Sequence, residues 1–219
     1  MWAEQAIFTS LSRQGRSGYH VVARSPGVTD AEASSLATWS PSHGALLVDE
    51  LNRTSVNFHP LASGRYALSR TCQGAPEYSG RGGRQVYTHA LIVDPNTLKK
   101  AGNNPFAIYH DALALGYFLH RAEPDTQLKC VPLSFTHPRL DPAACADRAR
   151  ELGLPDLETT KAQLVAGRSV ALPHAGDRIA LAECLLGQLP ADMLGALSFS
   201  TSLQPSAVRP FRLLLVGTA

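Results

Sequence analysis

At 219 residues the chain is long enough to close a hydrophobic core without disulfide or metal staples, and one domain, or one with a small appendage, is the natural expectation. Hydrophobic residues at 44% against 17% charged exclude a chain dominated by disorder. With 20 Lys and Arg against 18 Asp and Glu, a formal net charge of +2 supplies no whole-molecule field to draw in a polyanion.

From the N-terminus, residues 4–11 and 19–24 are short apolar stretches joined by Ser12-Arg13-Gln14-Gly15-Arg16-Ser17-Gly18, turn chemistry that predicts a β-hairpin with an arginine-bearing loop. Thr29 or Asp30 suits the cap of a helix running to about Thr38, with Glu32 near the positive end of its dipole and Trp39-Ser40-Pro41 ending it. Three strand-like runs follow at 56–60, 66–72 and 86–93, divided by glycine-rich turns. In the last, Val86, Thr88, Ala90 and Ile92 alternate with Tyr87, His89, Leu91 and Val93, so both faces carry apolar groups and the strand is expected inside a sheet. The connection 74–84, with Gly80, Gly82, Gly83 and two arginines, reads as a mobile surface loop.

From Asn104 the pattern turns helical, over 105–119, about 142–152, 155–166 and 177–189. In the last of these Ile179, Ala182, Leu185, Leu186 and Leu189 form an inward stripe that Pro190 stops. Residues 197–203 and 211–216 return to strand character. Strands, then helices, then strands, without regular βαβ alternation, predict an α+β fold: a mixed, largely antiparallel sheet with helices inserted in the second half. Pro132, Pro138 and Pro142 mark 129–142 as a boundary between a sheet-rich part, 1–128, and a helical part, 129–219, closing with two strands. The same stretch is equally a long loop inside a single domain of 1–219.

Chemistry-bearing residues are few. The loops Gly15-Arg16-Ser17-Gly18 and Gly80-Arg81-Gly82-Gly83-Arg84 set amides beside guanidinium groups, an arrangement able to receive a phosphate or carboxylate, although neither matches a phosphate-binding signature and solvated turns are the plainer reading. Arg16, Arg24, Arg81 and Arg84 are therefore partner- or anion-binding candidates. Cys72 and His89 fall on neighbouring predicted strands and are the candidate catalytic pair, a thiol and its base. Against that stands the plainer reading of a buried histidine beside an inert core cysteine. His110 and His120, ten apart, make no i,i+4 metal pair, and adjacency on a helix turns Asp111 away from His110. No G-x-S-x-G surrounds Ser17, Ser25 or Ser200.

Cys72, Cys130, Cys145 and Cys184 are widely spaced, without C-x-x-C or zinc-ligand spacing, so reduced thiols and neither metal nor cofactor are expected. Aromatic residues, at 7%, do not interleave with a basic stripe, which argues against nucleic acid. No apolar run approaches the roughly 20 residues of a membrane span, and Met1-Trp2-Ala3-Glu4-Gln5 lacks the regions of a signal peptide, so a cytoplasmic location is expected. The apolar run 211–216 so close to the C-terminus leads to the expectation of further domains of the same chain beyond Ala219.

The stretch Glu4-Gln5-Ala6-Ile7-Phe8-Thr9-Ser10 followed by Gly18-Tyr19-His20-Val21-Val22-Ala23-Arg24-Ser25-Pro26-Gly27-Val28 resembles the opening hairpin of the type 2 N-terminal domain of the bacterial GTPase-associated protein family. The strand Gly83-Arg84-x-Val86-Tyr87-Thr88-His89-Ala90-Leu91 is also similar, as is Leu189-Pro190 leading to Leu197-Ser198-Phe199-Ser200-Thr201. The resemblance implies a component of a nucleotide-dependent regulatory or conflict system encoded beside a small GTPase. Together with the polar Gly/Arg loops and the lack of a catalytic signature, it leads to the expectation of a non-enzymatic adaptor that binds that GTPase or an associated effector through Arg16, Arg81 and Arg84. A Cys72/His89 hydrolase and a nucleotide- or phosphate-sensing domain are the alternatives, and the resemblance transfers no catalytic set to Arg24, His89 or Ser200.

Overall fold

The computed structural model describes residues 1–12, 15, 17–76, 83–135, 140–154 and 156–218. The chain opens with the predicted hairpin, β1 (Trp2–Ser10) antiparallel to β2 (Tyr19–Arg24). Helix α1 (Asp30–Trp39) starts in a reciprocal cap, Thr29 accepting from the Glu32 amide while the Glu32 carboxylate accepts from the Thr29 amide. The strands β3 (Thr54–Pro60), β4 (Tyr66–Pro76) and β5 (Arg84–Val93) follow. Next come α2 (Pro95–Lys100), α3 (Pro105–Ala114), β6 (Val131–Pro132), α4 (Pro142–Glu151) and α5 (Leu157–Val165). The chain continues through β7 (Val170–Pro173), α6 (Arg178–Gly187), β8 (Phe199–Ser200) and β9 (Leu213–Val216).

These strands form one mixed sheet in the order β2-β1-β5-β4-β3-β8-β9-β7, with β6 added to the start of β1, so the α+β expectation holds. Pairing is antiparallel except where β9 meets β7 and β8. Strand β5 lies between β1 and β4, the interior position that its two apolar faces require. The sheet runs across position 128, because β8 pairs with β3. The largest apolar cluster likewise joins Phe58, Leu68 and Leu91 to Leu181, Phe199 and Leu213.

The register divides the sheet into two unlike faces. Phe58, Leu68, Leu91, Phe199 and Leu213 share one face, which the helices of the second half cover. The opposite face carries Ser55, Asn57, Ser69, Thr71, Thr88 and Ser200, all buried and bonded to one another, as in Thr71 Oγ1 to Thr88 Oγ1 at 2.9 Å. At one end of that face α1 seals a small cluster of Ala6, Leu36, Ala67, Ala90 and Ile92.

Two elements stop well short of the expected bounds, by more than the one or two residues seen at the ends of α4, α5 and α6. Helix α3 ends at Ala114 because Gly116 takes φ +80°. The Gly116 amide bonds to Leu113 O at 3.0 Å and the Tyr117 amide to Ala112 O at 2.9 Å, a glycine-terminated Schellman cap. The run 197–203 shortens to β8 because Ser55 Oγ captures the Ser202 amide at 3.0 Å. Among the described residues no helix is long and apolar enough to cross a membrane.

Candidate functional site

A polar island interrupts the helix-covered face. Arg70 stands opposite His89 across β4 and β5, Cys72 opposite Tyr87, and Ile7 of β1 opposite His89 on the other side. Gln5 fixes the state of the imidazole. Its amide nitrogen donates to Lys129 O, leaving Oε1 to accept from His89 Nε2 at 2.8 Å. His89 therefore carries its proton on Nε2 and presents a bare lone pair at Nδ1, which has no hydrogen-bond partner among the described residues. Burial, reinforced by the Arg121 charge, lowers the His89 pKa to about 4, so the ring is neutral near pH 7.

Phe118 plugs this island. Leaving the Schellman cap, the chain places Phe118 at φ +66°, a left-handed conformation that costs a bulky residue about 1–3 kcal/mol. Its buried ring meets His89 edge-on, centroids 5.5 Å apart, and lies 5.7 Å from Tyr109. Its carbonyl accepts from Arg70 Nη1 at 2.8 Å, while Arg70 Nε has no partner among the described residues. Two residues on, His120 packs edge-on against Tyr87 at 4.9 Å. Leu115 and Leu119, either side of the plug, are 50% and 57% exposed.

The island is poorly suited to nucleophilic chemistry. Cys72 and His89 share a sheet face, but the register sets them diagonally, and no hydrogen bond joins the Cys72 thiol to the free Nδ1 of His89 among the described residues. Burial raises the Cys72 thiol pKa, opposed by the Arg70 charge, whereas an activated cysteine needs a lowered one. Burial likewise pushes Tyr87 up to about 12.

Behind Cys72 the surface opens into a depression of about 610 Å³, walled by the segment 48–54 and by the ends of β4 and β5. Arg53 and Arg84 line it with Asp49 and Glu50. Arg84 Nη1 donates to Gly74 O at 3.2 Å, and neither arginine forms an ion pair among the described residues. The wall is rigidly held. Arg178, 0% exposed, donates from Nη2 to Asp49 at 2.8 Å and to Leu47 O at 3.2 Å, and from Nε to Ser202 Oγ at 3.1 Å. Asn52 Oδ1 accepts from the Arg178 amide, and Asp49, desolvated but bonded by Asn52 and faced by Arg178, is held below the usual carboxylate range.

The remaining sequence candidates scatter. Arg24 pairs with Asp30 at 2.7 Å and borders a separate depression with Ser17 and His20. Arg16 and Arg81 lie outside the described residues. His110 bonds to Glu183 at 3.0 Å, while Asp111 turns to Ser134. Ser25 Oγ donates to Glu4, and Ser200 Oγ meets Ser55 Oγ at 3.2 Å. Among the described residues no group of His, Cys, Asp and Glu is arranged to hold a metal.

The family model for GTPase-associated protein 1, N-terminal domain type 2, matches residues 2–134. The chain belongs to that family. No curated protein and no solved structure matches it. Within this GTPase-associated type 2 N-terminal domain, the plugged island and both arginines of the depression lie inside the matched residues, whereas Arg178, which props the wall, lies outside them.

Arg70, Arg53, Phe118 and Arg178 escaped the sequence reading. A charged residue inside the apolar run 66–72 was a usable signal for Arg70. Gly116 was a usable signal for the chain reversal that delivers Phe118. Nothing local distinguishes Arg178 from other residues that follow a helix cap, because its partners are more than 120 positions away in Asp49 and Leu47.

Proposed function

We propose that this domain is a non-enzymatic, protein-binding module of a GTPase-associated regulatory or conflict system, and that its docking surface is the depression rimmed by Arg53 and Arg84. The carrying observation is the surface chemistry of the propped segment. Val48, exposed, lines the cavity with the two arginines, Leu51 is exposed on the same segment, and Arg178 holds that segment in place from beneath. Arginine is enriched at interfaces and among their hot spots, and a preorganised support meets the ordering cost in folding and not in binding.

A partner presenting an acidic side chain would meet Arg53 and Arg84, and the raised Cys72 pKa, with no Cys72–His89 hydrogen bond among the described residues, favours this reading over a Cys72/His89 hydrolase. Association with a GTPase is the partner class that the family name supports, and a small GTPase or its effector is the form of it proposed here. Affinity purification from the native host followed by crosslink mapping tests it. Crosslinks are expected from residues 48–54 and 83–84, and partner crosslinks confined to other surfaces would remove the depression from the proposal.

A further inference from the structure

The geometry points to a latent binding site for inorganic hydrogen phosphate, an anion that keeps an O–H near pH 7, beneath the strap 115–121, in which Arg70 and His89 are the recognising residues and Phe118 is the internal occupant that the ligand displaces. Three independent observations meet at this place. Arg70 spends its guanidinium on neutral partners, the Phe118 carbonyl and the Tyr109 hydroxyl, and keeps Nε unpartnered and buried, so neutral acceptors stand where an anionic oxygen would bind more strongly. His89, 3% exposed and paired with Arg70 across β4 and β5, leaves the acceptor Nδ1 unused on the same patch of sheet. The strap that covers both is strained where it is most deeply held: Phe118, 1% exposed in the main apolar cluster, takes φ +66°, Gly116 takes φ +80°, and Leu115 and Leu119 face outward.

The protonation pattern names the ligand class. Gln5 holds the His89 proton on Nε2, so Nδ1 accepts and does not donate. A ligand replacing Phe118 must offer a charged oxygen to Arg70 and an O–H to His89 from one small group. A singly protonated phosphate carries both. Sulfate, fully ionised near pH 7, has no O–H to give and would set an anionic oxygen against the Nδ1 lone pair. The site thus discriminates by hydrogen-bond polarity and not by charge. It lies on the helix-covered face and is separate from the Arg53/Arg84 docking surface, although Cys72 borders both.

The test uses inorganic phosphate and sulfate at matched ionic strength, with hydrogen exchange of residues 115–121 and thermal shift as readouts. In the intact chain phosphate is expected to raise both exchange of the strap and the melting temperature saturably, and sulfate to do neither. Phe118→Ala removes the competing plug and is expected to tighten phosphate at least about tenfold, because apparent affinity rises with the open fraction. Arg70→Met, which keeps the aliphatic bulk, is expected to abolish the response. Equal responses to phosphate and sulfate, a response surviving Arg70→Met, or no saturable response in the intact chain would each overturn the proposal. Should Phe118→Ala fail to fold, the phosphate-against-sulfate contrast in the intact chain decides alone.

Discussion

Replacing Glu32 with glutamine removes the charge that fastens α1 to the sheet, and the structure sets both the size and the pH range of the effect. The Glu32 side chain is 2% exposed and accepts from Ser63 Oγ at 2.6 Å, from Arg65 Nε at 2.7 Å and from the Thr29 amide at 3.0 Å. Burial by itself would raise its pKa. The hydrogen bonds from Arg65, Ser63 and Thr29 outweigh that and bring it from 4.5 to about 2. At about 1.4 kcal/mol per pKa unit, the ionised carboxylate contributes on the order of 3 kcal/mol to folding.

The folded pKa is depressed, so this contribution is complete above the unfolded value of 4.5 and is lost as pH falls toward 2. Equilibrium urea unfolding of Glu32→Gln should show a deficit of about 3 kcal/mol near pH 7, with unchanged denaturant dependence, shrinking as the buffer is taken toward about pH 3. A deficit of the same size at both pH values would refute the electrostatic reasoning. So would no deficit at neutral pH.

Two further outcomes follow from buried polar groups. His59, 3% exposed, stacks on Trp39 at 4.4 Å with both ring nitrogens unbonded among the described residues, and burial lowers its pKa from 6.5 to about 3. The unfolded chain takes up that proton first, so stability should fall as pH drops from 6.5. His59→Phe, which keeps the stack, should flatten the melting-temperature profile over that range, and an unaltered slope would contradict this. Arg178→Met should cost roughly 3 kcal/mol, because Asp49, Leu47 O and Ser202 lose a buried donor together, and hydrogen-exchange protection at 47–52 should drop with it. A loss of global stability with that segment still protected would show that Arg178 does not prop the wall.

The fold was legible where the signal is periodic and local. Alternation in 86–93 placed β5 inside the sheet, and the cap at Thr29 set the start of α1. The site was legible only in part. Cys72 and His89 were legible as residues of neighbouring strands, but their relation depends on register and the state of His89 on Gln5, 84 positions away. Short elements such as β6, β7 and α2 carry too few residues for a period to show and are fixed by long-range pairing, as when Val170 aligns with Leu213. The polar face was unreadable for the same cause. Ser55, Asn57 and Thr71 look like solvent-facing strand residues until Thr88 and Ser200 close their hydrogen bonds.

The docking proposal is tested most directly by equilibrium binding of the purified partner GTPase to the intact chain and to an Arg53→Glu, Arg84→Glu double variant with an unchanged melting temperature. The account predicts at least about a tenfold loss of affinity in the double variant, the scale of an interface hot spot, while Arg24→Glu in the separate depression leaves binding intact. Equal affinity for the intact chain and the double variant would contradict it.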